Sequence, residues 1–377
     1  MDGVQRRRLD RVPDFILMDV DTHGGNVHAL ARELGVSLNR CVDFSASINP
    51  LGPSKRVLRT VRAALQFACH YPDPDCHSLV KALAKCWKLD AAHFLIGNGS
   101  SELIYLLPVV LAIRKATIIG PTFSEYARAV SLVGEPSMAI NARREQMYRP
   151  PLQEAFKMMR TMTDGDAVFL CNPNSPTGQV LLMNEVLELL ETASSRGVWV
   201  IVDEAFMEYC EEHSVLALVP RHPRLIVLRS FTKFYAVPGL RVGYLVAEPE
   251  LVQRLRKYQP PWSVNFLAQK AAEAALRDRA HAHRSLACVQ RERALLAEGL
   301  TDIPGMIVFP SVANFLLAEL PPERHASTVA RRLGEVGILV RDCSTIPGLN
   351  DRSVRVAVRT AEDNRQLVKV IDTVLQT

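Results

Sequence analysis

Between residues 94 and 246 the chain repeats one pattern: a short apolar run, then a polar turn or a helical stretch. The apolar runs fall at 94–96, 116–120, 167–171, 198–202, 225–228 and 242–246, and residues 185–196 have the spacing of one of the intervening helices. A strand that is apolar at every position is buried on both faces. Helices must then cover both sides of the sheet, and parallel strands need such crossovers to connect them. Each crossover is expected to be right-handed. The pattern therefore predicts an α/β fold with a mostly parallel sheet between helices.

The pattern changes after about Ser263. Residues 265–300 read as long and helical, rich in Ala and Arg. Shorter units follow at 306–309, 314–317, 327–336, 338–341 and 354–358, and a last helix starts at Glu362. This predicts a smaller α+β domain, with the N-terminal segment packed against it. The expected division is 58–264 for the large domain, and 1–57 with 265–377 for the small one. A chain of 377 residues is long enough for both.

Charge and cysteine usage exclude several classes. The net charge is +5, and the basic tract Arg6-Arg7-Arg8 is not followed by a basic stripe with aromatic residues, so nucleic-acid binding is not expected. Asp10, Arg11 and Asp14 stand where a secretory signal would have its apolar stretch. The apolar run 106–113 is too short to span a membrane and fits a buried helix. Eight scattered cysteines suit a reduced compartment, so a cytoplasmic protein is expected. Cys69-His70 and Cys76-His77 have no second pair at zinc-finger spacing, so no metal is expected.

In an open parallel sheet, ligands bind beyond the carboxyl ends of the strands. Five such positions carry suggestive groups. The run at 94–96 leads into Gly97-Asn98-Gly99-Ser100-Ser101-Glu102 and a helix. Glycines and a helix start suit phosphate, and the same serines suit a plain helix cap. Phe123 in Gly120-Pro121-Thr122-Phe123 can stack on a flat ring or fill a core. Asn172-Pro173-Asn174-Ser175-Pro176-Thr177-Gly178 is a stiff loop that can hold a donor against a ring oxygen, or an ordinary turn. Asp203 ends a buried run, where a carboxylate is costly unless paired. It suits a protonated ring nitrogen, a helix cap or a salt bridge. Finally Ser230-Phe231-Thr232-Lys233, with Arg241 beyond Pro238-Gly239, brings an amine, two hydroxyls and a guanidinium together. An amine can bind an aldehyde cofactor covalently, and the other groups can hold its phosphate.

These motifs resemble the fold type I pyridoxal 5′-phosphate (PLP) enzymes of the aminotransferase class I/II superfamily, over most of the chain from His23 onward. The resemblance implies that Lys233 carries the cofactor as a Schiff base and that Asp203 pairs with the pyridine nitrogen. Phe123 then stacks on the ring, and Ser100, Ser101, Ser230, Thr232 and Arg241 hold the phosphate. Tyr71, in His70-Tyr71-Pro72-Asp73, matches a tyrosine that reaches the cofactor of the neighbouring subunit, which implies a homodimer with shared active sites. The superfamily usually has Asn immediately before Pro-Thr-Gly, donating to the ring 3-oxygen. Here Ser175 stands there and Asn174 precedes it, so either residue is open as the contact.

Two branches of the superfamily fit: the histidinol-phosphate aminotransferases and the threonine-phosphate decarboxylases of cobalamin biosynthesis. The second is similar in His23-Gly24-Gly25-Asn26, in the stretch from Asp43 to Gly52, in Phe206 (where the aminotransferases usually have Tyr), and in the segments that carry Arg341 and Arg355. That similarity implies decarboxylation of L-threonine O-3-phosphate to (R)-1-amino-2-propanol O-phosphate. His23, Asn26, Ser47, Asn49, Arg341 and Arg355 are then the substrate-binding residues. An O-phosphoserine decarboxylase and a non-catalytic PLP-fold regulator are the further readings. Arginines can hold both acidic ends of such a substrate bidentately. The bond that breaks is the one held perpendicular to the cofactor ring, so orientation decides between losing carboxylate and losing a proton. A decarboxylase is expected to spend its arginines on the phosphate and leave the carboxylate in a weaker field.

Overall fold

The computed structural model describes residues 23–376; the basic tract at Arg6 to Arg8 lies outside them. The strands, in chain order, are Val42–Asp43 (β1), Phe94–Gly97 (β2), Ala116–Gly120 (β3), Met138–Asn141 (β4), Ala167–Cys171 (β5), Trp199–Asp203 (β6) and Leu225–Ser230 (β7). They continue with Gly243–Val246 (β8), Ile307–Val308 (β9), Phe315–Glu319 (β10), Ile338–Leu339 (β11), Arg341–Asp342 (β12) and Ser353–Ala357 (β13).

Seven strands form the main sheet in the order β2-β8-β7-β6-β5-β3-β4. β8 runs antiparallel to both neighbours, and the pairs among β7, β6, β5, β3 and β4 are parallel. The carboxyl ends of β2, β3, β5, β6 and β7 and the start of β8 therefore meet at one edge. β2, β3, β5 and β7 are buried at every position, as their apolar runs require. Alternate side chains feed two cores. One, on one face, joins Val168, Leu170, Val200, Val202 and Val227 with Leu79, Leu83 and Leu189. The other, on the opposite face, joins Phe169, Ile201, Ile226 and Leu228 with Leu103, Leu107 and Leu251. Each such side chain contributes about 1.5–3 kcal/mol on burial.

The small domain packs the antiparallel sheet β12-β13-β10-β9 against the helices Arg279–Thr301, Ala326–Glu335 and Ala361–Gln376. Phe44 lies in its core, and β1 pairs in parallel with β11. Two expectations need correction. The stretch 265–300 is two helices, Phe266–Leu276 and Arg279–Thr301, because Asp278 caps the second by accepting the His281 N–H. The first of them packs on the main sheet through Ala268, Ala271, Ala272 and Ala275, and so does Val57. The second domain boundary therefore falls after Leu276, not at 264/265. Among the described residues no helix is long and apolar enough to cross a membrane.

Candidate active site

A cleft opens at the edge where the strand ends meet. Residues from the main sheet, the small domain and the N-terminal strap line it. Lys233, Asp203, Ser100, Ser101, Phe123, Ser175, Ser230, Thr232, Arg241, His23, Arg341 and Arg355 all face it.

Asp203 ends β6 and is almost fully buried. Tyr126 donates to its Oδ2 at 2.7 Å and the Ala205 N–H to its Oδ1 at 3.0 Å. Burial still holds its carboxyl above the usual range, against those bonds and the pull of Lys233. Lys233 follows β7. Desolvation, with the charges of Arg355 and Arg241, pushes its ammonium down to about 8, while Asp203 and Asp43 pull the other way. An amine near 8 is a usable nucleophile at neutral pH. Asp203 and Ser230 are braced through their chain neighbours, Glu204 after the one and Arg229 before the other. Glu204 and Arg229, both fully buried, pair at 2.8 Å, and Arg229 also binds Glu211. Sequence reasoning missed that pair because its partners lie 25 residues apart.

A cradle of hydroxyls, N–H groups and a guanidinium lies on one flank. Ser230 and Thr232 share a hydroxyl bond of 2.8 Å. Ser100 and Ser101 sit in the first turn of the helix Gly99–Leu111, where its unpaired N–H groups suit an anion. Neither serine caps that helix: Asn98 holds the cap position, without a side-chain bond. The approach is close enough to exclude larger residues. A Cβ on Gly99 (φ +77°) would meet Arg241 Nη2 at 2.5 Å. One on Gly243 would meet the Ser100 backbone nitrogen at 2.6 Å and the Arg229 carbonyl oxygen at 2.8 Å. Both of those are backbone atoms with no room to move. Gly243→Ala is expected to destabilise the protein by about 1–3 kcal/mol and to weaken anion binding. Denaturant melts with and without inorganic phosphate check both effects.

His23 reaches the cleft from the strap. Gly24 lies so close to the Ser45 carbonyl oxygen that a Cβ there would come within 2.3 Å. His23 Nε2 lies 2.7 Å from Glu125 Oε1, and its ring packs 5.3 Å from that of Phe123. Burial raises the Glu125 carboxyl, but hydrogen bonds from Tyr105 and His23 outweigh it and hold it below the usual range. The two arginines differ. Arg355 donates to Ser175 Oγ and to the Ser45 carbonyl, each at 2.7 Å, while its Nε is buried without a partner among the described residues. The Arg341 guanidinium lines the cleft and has no hydrogen bond or ion pair among the described residues, so it is available to an anionic ligand.

Five expected residues are not brought to this cleft. Asn174 is buried in the loop after β5, and its amide nitrogen donates to the Pro121 carbonyl and to Thr177 Oγ1. Asn49 clamps backbone: its amide donates to the Phe234 carbonyl, and its N–H to the Lys233 carbonyl. It sets the lysine's backbone and lies outside the cleft lining. Ser47 is buried outside the cleft lining. Asn26 caps the helix Val27–Leu34. Tyr71 points outward, 80% exposed, and stacks on Trp262 at 4.6 Å. The cleft also holds Tyr126, Phe206 and Ile346, which the sequence did not single out as site residues. Near the Cys-His stretch, Cys69 and Cys86 are exposed and Cys76 is buried.

The arrangement fits PLP on the structure's own terms. It offers an amine near 8, a buried carboxylate with no ion pair among the described residues, and a glycine-floored cradle of hydroxyls, N–H groups and a guanidinium.

Residues 39–371 match the family described as Aminotransferase class I and II. The chain is 38% identical over 356 residues to a threonine-phosphate decarboxylase of Salmonella typhimurium, covering 94% of this chain and 96% of that protein. It is 31% identical over 353 residues to the adenosylcobalamin biosynthesis bifunctional protein CobDQ of Leptospira interrogans, covering 93% of this chain and 41% of that longer protein. Among solved structures, the histidinol-phosphate aminotransferase from Clostridium acetobutylicum superposes with a TM-score of 0.81 at 27% identity, covering 88% of this chain and 98% of that one.

Proposed function

We propose, from the premise that this chain belongs to the aminotransferase class I and II family, that it is a PLP-dependent carboxy-lyase that converts L-threonine O-3-phosphate to (R)-1-amino-2-propanol O-phosphate in cobalamin biosynthesis. The observation that carries the cofactor reading is that Lys233, Asp203 and the cradle residues, drawn from separate strand ends, line one cleft. Similarity of 38% over 94% of the chain to a threonine-phosphate decarboxylase favours that reaction.

When bound, PLP supplies an aldehyde that takes the substrate amine and a ring that accepts the electron pair of the broken bond. Lys233 would hold it covalently, Asp203 would keep its ring nitrogen protonated, and Phe123 would pack on the ring. Ser100, Ser101, Ser230, Thr232 and Arg241 hold its phosphate. Arg341, His23 and Arg355 meet the two acidic ends of the substrate. Arg355 is already committed to Ser175 and Ser45, so Arg341 is the freer cation for the phosphate. Lys233, whose ammonium burial pushes down to about 8, would be the chain's group to carry a proton to the substrate carbon.

The test is incubation of the holoprotein with L-threonine O-3-phosphate in the absence of any keto acid. Stoichiometric CO₂ and an amino-propanol phosphate by mass are the expected result. Nitrogen transfer to 2-oxoglutarate without CO₂ would move the chain to the histidinol-phosphate aminotransferase branch.

The working unit in this reading is a cytoplasmic homodimer. Eight free cysteines among the described residues suit that compartment. Tyr71 does not enter its own chain's cleft and stands exposed beside Trp262, where it is free to reach a partner's cofactor phosphate. Light scattering is expected to give twice the chain mass. Tyr71→Phe keeps the stack on Trp262 and loses one hydroxyl, so the dimer persists and the cofactor dissociation constant rises about tenfold. Unchanged retention would remove Tyr71 from the site.

A further inference from the structure

We propose that Glu125 is a positioning residue for substrate capture: it latches His23, and with it the N-terminal strap, across the mouth of the cleft. The inference rests on the reading above that His23 meets an acidic end of the substrate. The strap is tied to the small domain at one end. The Gly25 N–H donates to Ser45 Oγ at 2.7 Å, and Ser45 Oγ donates to Asp43 Oδ1 at 2.6 Å. The carbonyl of the same serine accepts from Arg355. Further on, Leu30 of the helix Val27–Leu34 lies over Gly334 of the small domain, where a Cβ would meet Leu30 Cδ1 at 3.5 Å. The other end of the strap is His23. Its hydrogen bond runs to Glu125, the first residue of the helix Glu125–Ser131, which follows β3 of the main sheet. The contact between His23 and Glu125 therefore spans the cleft.

Glu125 is held ready for that contact. It is buried, and Tyr105 of the helix Gly99–Leu111 donates to its Oε2. Burial, and then the bond to Glu125, push the Tyr105 phenol up to about 12, so it keeps the hydrogen it donates. That leaves Oε1 for His23. Arg128 Nη1 is the competitor for the same oxygen, but it stands at 3.5 Å where His23 Nε2 stands at 2.7 Å.

The latch also orients the imidazole. A carboxylate can only accept, so Nε2 carries the hydrogen. Nδ1 enters no hydrogen bond among the described residues and is the ring nitrogen left for a ligand. A ring that bridges a carboxylate and an anionic ligand must donate to both, which the imidazolium form does. The ligand then strengthens the contact that closes the strap, and by linkage the closed strap strengthens the ligand's hold. The His23 side chain is 40% exposed, so the latch is weak until a ligand covers it.

The test pairs amide hydrogen exchange with steady-state kinetics on the holoprotein. Without substrate, Glu125→Ala is expected to speed exchange in the peptide from Gly24 to Leu34 about tenfold. His23→Ala does the same, and the double variant exchanges no faster than either single one. Glu125→Gln keeps an acceptor for the Nε2 hydrogen and recovers part of the protection. In turnover, Glu125→Ala raises KM for L-threonine O-3-phosphate about tenfold and changes kcat less than about twofold, because the latch acts alike before and during bond breaking. Arg128→Ala moves neither quantity. The inference is overturned if strap exchange ignores Glu125→Ala, if the His23 and Glu125 effects multiply, or if Arg128→Ala reproduces them. A fall in kcat at constant KM overturns it too. A parent protein that does not turn over L-threonine O-3-phosphate defeats the reaction reading instead, and strap exchange in the substrate-free protein still decides the latch.

Discussion

Lys233→Ala is expected to lose both turnover and the visible band of the cofactor linkage, with turnover falling on the order of 10⁴-fold or more. The reason is chemical. No other lysine lines the cleft among the described residues, and in the proposed reading this amine is both the attachment point and the nearest proton carrier. The loss should not be one of folding. Lys233 forms no side-chain hydrogen bond or ion pair among the described residues, and the Asn49 contacts hold its backbone. Cofactor capture by the parent apoprotein should also follow the amine. Below about 8 the ammonium dominates and must lose a proton first, so the capture rate climbs about tenfold per pH unit and then levels off above about 8. Stopped-flow absorbance across pH reads this directly. A rate that is flat from pH 6 to 9 would mean that a different group limits capture.

Asp203→Asn is expected to divide stability from activity. In the apoprotein, burial raises the Asp203 carboxyl, so the folded state holds that proton more tightly than the unfolded chain does. As pH rises above the ordinary carboxyl value, ionisation stabilises the unfolded chain more than the folded one. Asn never ionises; its single amide oxygen can still accept from the Ala205 N–H, and the Tyr126 hydroxyl can turn to accept from its amide nitrogen. The apo variant should therefore melt higher than the apo parent at neutral pH. With PLP bound the order reverses, because the carboxylate has gained the ring cation it lacked. Turnover should fall about 10²- to 10³-fold, since an amide does not hold the ring nitrogen in its charged form. Paired apo and holo melting curves check the crossover. Equal melting shifts in both states would remove Asp203 from the cofactor.

The main sheet was legible because β2, β3, β5 and β7 are buried on both faces and so are apolar throughout. β4 was not legible: it is an edge strand whose first residues, Met138 and Ala139, are exposed, and nothing in its sequence demands burial. β1 is two residues, too short for any period, and the unit expected at 338–341 divides into β11 and β12 of two residues each. The reversal of β8 is a property of pairing, which the apolar pattern does not encode.

The site divides the same way. Residues at strand ends were readable, because topology alone sends them to one edge. Side-chain direction inside irregular segments was not. Asn49 sits in a motif that suggests ligand contact, yet its amide turns to the Phe234 carbonyl and to Ser285. Asn174 and Ser175 are adjacent, and only the structure shows that one turns into its own loop and the other into the cleft. Tyr126 reads as an apolar helix residue, since its partner Asp203 lies 77 positions away.

Reduction of the holoprotein with borohydride, followed by peptide mapping, tests the central claim most directly. The account predicts one peptide carrying the pyridoxyl phosphate mass, with the modification on Lys233. An unmodified Lys233, or the label on a different lysine, would contradict it.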